Sequence, residues 1–359
     1  MQRLIILLFF VLSLSSAFGQ SGPSFETMFD NVTIHDICSD GQSLWIATNG
    51  SGIYRYDAKT KKTDNFNSSN SGLKQDVIYC LTANDEFVWA GSTDGLFVYD
   101  KKANRWTQRK FGKGGQLGNW IRSLAFDKYE NVVWIGRFLY LTRYSLKTRQ
   151  FDDFDLTKYG NTKTNNIKKV VVDGDSLVWF GSEAGLHKYN KKKNIFDPGA
   201  IHFYDTKFNY FNGEGDQVSI TSLLFEQKNI WIGLDEFITP DMPQFNIGGL
   251  YKFDRRNEWK RFDASSGLAG NGIHCLARTG NYIWASLYQF GQSSKETYGR
   301  GIALVNRLNG QVKVLNDPAI PSTVYCMYFD GNIMWLGTNN GIVKIPVTNR
   351  LATLTKGSK

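Results

Sequence analysis

The chain has 359 residues, 42% of them hydrophobic and 14% aromatic, and a formal net charge of +9. That much apolar material excludes an intrinsically disordered chain. The basic excess sits in turns, as at Lys59, Lys61, Lys62 and Lys191 to Lys193, and no recognition helix or RNA-binding signature accompanies it, so nucleic acid is not an expected partner. Attraction to acidic glycans or an anionic envelope surface stays open.

Residues 1–19 read as a signal peptide. Arg3 supplies a short basic region, Leu4 to Leu14 an apolar run, and Ala17-Phe18-Gly19 a small-x-small cleavage site. The expected product, residues 20–359, is periplasmic or secreted. No later run reaches the length of a membrane span.

One phrase then recurs along the whole chain. At Leu44 to Asp57 it reads LWIATNGSGIYRYD: an apolar strand, a glycine turn and a second strand. Its tryptophan returns as Trp45, Trp89, Trp134, Trp179, Trp231, Trp284 and Trp335, spaced 44, 45, 45, 52, 53 and 51 residues apart. Repeats of that length with several strands each predict an all-β, seven-bladed β-propeller of four-stranded antiparallel blades, filling residues 20–359 as one domain. In the second repeat the strands are expected at Val77 to Thr82, Phe87 to Ser92, Leu96 to Asp100 and Trp106 to Lys110. The tryptophans are structural, and the small residue two positions on (Ala47, Gly91, Gly136, Gly181, Gly233, Ser286, Gly337) makes room for the neighbouring blade. Ser24 to Phe29 and Leu351 to Thr355 compete to complete the last blade, and the first is preferred because it would pin the two chain ends together.

Cys80, Cys275 and Cys326 each precede their tryptophan by nine residues. This equivalence favours small core residues over a disulfide framework, Cys38 being the fourth cysteine.

The repeat is broken in a few places, and those places are the functional candidates. Between Trp231 and Leu250, and between Trp284 and Ile302, the connection grows by about a dozen residues, and long connections in compact folds are usually functional. The hydroxyl residue of Thr48, Ser92, Ser182 and Thr338 becomes Arg137, Leu234 and Leu287 in the third, fifth and sixth repeats. The fourth carries an extra aromatic stretch from Ile201 to Gln217. Aligned on the tryptophans, the first residues of the inner strands are His35, Tyr79, Arg122, Lys168, Thr221, His274 and Tyr325, which should ring the mouth of the central channel beside Trp120. Aromatic plates next to hydrogen-bonding groups suit a carbohydrate or a carboxylate, with Arg122 and Lys168 favouring an acidic group. The inserted connections add Phe237, Tyr288, Phe290 and Tyr298, together with Asp235, Glu236 and Gln289. Asp235, Glu236, Asp241 and Glu296 could in principle supply a hydrolase pair, and His35 with His274 an acid and base. No nucleophile elbow, phosphate loop, zinc pair or calcium loop occurs, so no catalytic residue, metal site or cofactor is assigned.

The phrases at Val88 to Asp100, Leu44 to Asp57 and Met334 to Ile345 resemble the two-component regulator propeller repeat, a resemblance that spans nearly the whole chain after residue 19. It implies the propeller fold and a periplasmic sensor-type role in recognising a ligand, with an oligosaccharide or cell-envelope component as the expected partner. Those sensors also carry a second propeller, a spacer, a membrane span and a kinase, which this sequence does not show, so a protein-interaction scaffold and a separate signalling partner stay open. The chain is also similar to the streptogramin lyases, seven-bladed enzymes that hold magnesium at the channel mouth. That likeness implies a metal-dependent alternative for which His274 and Glu236 are the only counterparts. A monomer is expected.

Overall fold

The tryptophan strand of each repeat is apolar along its length because both of its faces are covered by protein. All seven tryptophans are at most 2% exposed. The computed structural model describes residues 25–315 and 317–347. Within them, seven four-stranded antiparallel sheets follow one another around a ring. The fold is an all-β, seven-bladed propeller. Six blades occupy residues 34–66, 80–109, 121–154, 167–204, 220–262 and 272–315, with their strands hydrogen-bonded in sequence order from the axis outward.

The seventh blade has only three strands from its own stretch, Val324–Phe329, Ile333–Thr338 and Gly341–Pro346. Its outer strand is Glu26–Met28 from the start of the chain, antiparallel to Gly341–Pro346 with Glu26 opposite Lys344. Lys344 Nζ reaches Glu26 Oε1 at 2.7 Å and lies over the Trp335 ring. The preferred closure is thus present, two residues shorter at its start and one at its end than Ser24 to Phe29. The rival segment Leu351 to Thr355 and the stretch 1–19, expected to be a signal peptide, lie outside the described residues.

Packing between blades explains the small residue after each tryptophan. A Cβ on Gly181 would stand 2.5 Å from Ile220 of the next blade, and one on Gly91 2.6 Å from both Cys80 Sγ and Ile121. A side chain there would push the blades apart. Below the tryptophans, an acid at the first hairpin clamps two blades together. Asp40 accepts the Trp45 indole N–H at 2.8 Å and pairs with Lys101 of the second blade at 2.5 Å. Asp173 does the same for Trp179 and Arg255, and Glu226 for Trp231 and Arg307. All four cysteines are free thiols.

The hydroxyl that follows the small residue decides how the second strand ends. Thr48, Ser92, Ser182 and Thr338 each donate to the carbonyl of a glycine three or four residues on, at 2.7 to 3.0 Å, and close a tight turn. Leu234 and Leu287 have no hydroxyl, and their strands run on. The long connections expected there as loops are extended hairpins: Ile230–Thr239 with Met242–Phe253, and Tyr282–Phe290 with Thr297–Asn306. Both rise from the face that carries the blade-to-blade connections, called here the upper face. Arg137, fully buried, has another task. It donates to Gly118 O at 2.9 Å and to Asp153 at 2.8 Å, pinning the connection between the second and third blades.

Candidate functional site

His35, Tyr79, Arg122, Lys168, Thr221, His274 and Tyr325 all line one cavity of about 320 Å³ at the upper mouth of the central channel. Their convergence has a backbone cause. Each inner strand except that of the second blade breaks register with its neighbour at this residue, for example between Ile34 and Asp36, Ile121 and Ser123, and Val324 and Cys326. A bulge re-aims the side chain it carries. Here it swings the ring residue off the blade face towards the axis. In the second blade the strand begins only at Cys80, not at Val77, so Tyr79 precedes it.

The mouth divides into two unlike halves. Along one side seven rings follow one another in contact: Tyr288, His274, Tyr325, His35, Tyr79, Trp120 and Phe138. Successive centroids are 4.4, 5.3, 6.3, 5.2, 6.0 and 5.3 Å apart. Trp120 and Phe138 are parallel within 1°, and the Arg122 guanidinium lies 5.4 and 5.5 Å from their centroids. Burial pushes the His274 imidazole down to about 4 and lowers His35 as well, so both rings are neutral at pH 7. His35 Nδ1–H donates to Ile78 O at 2.9 Å, which leaves its Nε2 as an acceptor. The Trp120 indole N–H and the Thr221 hydroxyl are buried without a hydrogen-bond partner among the described residues.

The other side is ionic, and there the expectation for Arg122 and Lys168 is corrected. Neither is an unclaimed cation. Arg122 Nη1 is 2.5 Å from Glu183 Oε1, and Asn166 donates to the other oxygen of that carboxylate at 3.0 Å. Lys168 is paired with Asp235, which also accepts from Ser219 and from the Tyr288 hydroxyl. These donors outweigh burial and hold the Asp235 and Glu183 carboxyls below their ordinary values. The half carries two internally balanced pairs rather than a net positive charge.

The hairpin residues also separate. Tyr288 and Phe290 are 3% and 6% exposed and serve as props. The Tyr288 hydroxyl accepts the Glu236 N–H at 3.1 Å, and Phe290 N–H donates to Glu236 Oε2 at 2.7 Å. Phe237 and Tyr298, 36% and 45% exposed, are the two that face solvent. Asp235 and Glu236 therefore join the hairpins to each other and to the ring. Asp235 accepts from Lys168, Ser219 and Tyr288, and Glu236 accepts from the Phe290 N–H. Among the described residues no group of three or more His, Cys, Asp and Glu side chains is gathered as a metal site.

Glu183, Asn166, Phe138 and Ser219 escaped the sequence reading because they come from connections and turns, outside the aligned inner-strand position. Glu183 directly follows the hydroxyl residue Ser182, a place the repeat does mark.

Comparison with known proteins bears on the fold. No family model matches the chain. A curated protein, "Histidine kinase P4" of Formosa agariphila, is 28% identical over 179 residues, which is 47% of this chain and 13% of that protein. Solved propellers share the fold. The extracellular domain of a putative hybrid two-component system from B. thetaiotaomicron superposes with a TM-score of 0.65 at 20% identity, over 89% of this chain and 39% of that one. A streptogramin B lyase superposes with a TM-score of 0.62 at 11% identity, over 89% and 95% of the two chains. The chain thus spans well under half the length of the sensor proteins it matches, and the structural likenesses establish the seven-bladed architecture. Among the described residues no helix is long and apolar enough to cross a membrane.

Proposed function

We propose that this propeller is an exported recognition module that binds a saccharide-like ligand at its channel mouth. The observation that carries this reading is the unbroken arc of seven aromatic rings, bordered by an imidazole acceptor and two unpartnered donors. Ring faces stack against the apolar face of a sugar, and the polar atoms at their edges bond its hydroxyls. The signal peptide read at 1–19 and the extracellular sensor domain among the structural relatives both support a location outside the cytoplasm. An oligosaccharide or cell-envelope component is the expected ligand class.

A thermal-shift screen against neutral and acidic oligosaccharides tests the reading. A ligand at 100 times its Kd adds about 2.7 kcal/mol to stability, a readily visible shift. A hit lost in Trp120→Ala supports the mouth as the site. A hit untouched by both Trp120→Ala and Tyr325→Ala places the ligand elsewhere and removes the proposal. If no saccharide binds while a protein is retained through the exposed Phe237 and Tyr298, the scaffold reading replaces it.

A further inference from the structure

The residue after each ring residue also lines the channel cavity, and six of the seven at that position are short: Asp36, Cys80, Ser123, Ser222, Cys275 and Cys326. Two of these bridge to the following blade by accepting a backbone N–H. Asp36 takes Leu81 N–H at 2.8 Å and Ser123 takes Val170 N–H at 3.0 Å. The seventh is Lys169, which has only donors and cannot accept such a bond. It lines the channel cavity, is half-buried, and is in no ion pair among the described residues. Its charge acts on Asp36 of the first blade, Cys80 of the second, Cys275 of the sixth and Cys326 of the seventh. Its place in the lining of the same cavity as Asp36, Cys80, Cys275 and Cys326 puts it on the channel wall. Asp36, on the same level of the channel wall, does not neutralise it by contact. Both Asp36 oxygens are held by backbone, Oδ1 by its neighbour Ile37 N–H at 2.9 Å and Oδ2 by Leu81 N–H.

We infer that Lys169 is an anion-binding residue one layer below the mouth, which receives a carboxylate or phosphate group of a ligand whose body rests on the aromatic arc. The inference rests on the mouth being the ligand site and adds the ligand's charge to it. It also moves the anion-binding role from the paired Arg122 and Lys168 to the cation that no carboxylate contacts. The channel narrows the choice of ligand to one that presents its charge end-on, as the acidic terminus of a sugar chain does.

Two measurements test it separately from the saccharide reading. In protein labelled with ¹³C-lysine, inorganic phosphate should shift the Lys169 Cε signal, assigned by its loss in Lys169→Met, in a saturable way. The signal of the paired Lys168 should stay in place. Absence of a saturable shift at Lys169 overturns the inference. In calorimetric titrations, trigalacturonate should bind at least tenfold more tightly than its methyl ester, and Lys169→Met should erase that preference while Lys169→Arg retains it. Equal binding of acid and ester by the unaltered protein also overturns the inference, yet leaves the mouth standing as a neutral-sugar site. If neither sugar binds and the phosphate shift persists, the anion site stands and the saccharide reading fails.

Discussion

The aromatic and ionic halves of the channel mouth are built around one equivalent position of different inner strands, and they differ in how their side chains are engaged. The ionic half has satisfied its own charges. Each cation has a carboxylate, and each carboxylate has further donors. The aromatic half is held by ring-to-ring contacts, and all of its rings except Tyr288 remain partly exposed. A row of charges drawn from sequence as a binding feature can thus be the internal framework of a site. The Lys168–Asp235 pair ties the fifth-blade hairpin to the ring, and Tyr288 of the sixth-blade hairpin bonds the same carboxylate.

The largest effect that sharpens this contrast should come from Asp235→Ala. It strands Lys168 and the Tyr288 hydroxyl in a largely buried place, and loss of one partner from such a pair costs about 3 kcal/mol. Urea denaturation reads the change, and a loss below roughly 0.5 kcal/mol, as for an exposed pair, would show the ionic half to be solvated and dispensable.

Acid should separate the halves next. His274 is held at about 4 in the folded protein against about 6.5 unfolded. The unfolded chain therefore takes up a proton first, and stability falls as pH drops from about 6.5 to about 4, by at most about 1.4 kcal/mol per unit. Asp235 and Glu183, whose folded values are lowered, keep their contribution above the ordinary carboxylate range and lose it only as pH falls below that range. The aromatic half gives way first. His187, buried in the fourth blade and pushed down to about 3, acts in the same direction, so the comparison must be made between the unaltered protein and His274→Gln. Their stability difference should shrink between pH 7 and pH 4.5, and parallel curves would contradict the assignment.

Trp120→Ala should cost about 2 kcal/mol, less than for a fully buried tryptophan because its ring is partly open, and should weaken ligand binding at least tenfold. Tyr325→Phe removes a hydroxyl that has no hydrogen-bond partner among the described residues, and its stability cost should stay within about 0.5 kcal/mol. Denaturation midpoints compared with calorimetric affinities would distinguish the two. A destabilised Trp120→Ala with unchanged affinity would make the arc structural only.

The fold was readable because each blade repeats one demand, a large buried ring beside a small residue, and the distance between tryptophans counts the blades. Placement of the seven ring residues followed from the same alignment. What alignment could not supply was the contacts between blades. Glu183 reaches Arg122 from the neighbouring blade, and Asp235 reaches Lys168 across another junction. The continuation of the fifth- and sixth-blade strands had a visible cue, leucine in place of the turn-closing hydroxyl, but its meaning depends on the hydrogen bond seen in the other blades. The bulges left no mark in the residue pattern, because any side chain can occupy them.

The borrowed outer strand of the seventh blade ties the protein's completion to the order in which it is made. Glu26 and Lys344 are 318 residues apart, and bringing such distant segments together costs roughly 5 kcal/mol of loop-closure entropy when the intervening chain is loose. Blades already folded shorten that search, so the ring should shut last. Until residue 346 has emerged from the ribosome, Glu26–Met28 has no partner strand, and the seventh blade shows an unpaired edge. A pause in synthesis near that point would leave an open, sticky crescent. The final step in closing the ring is therefore a pairing of strands that lie more than 300 residues apart in the chain.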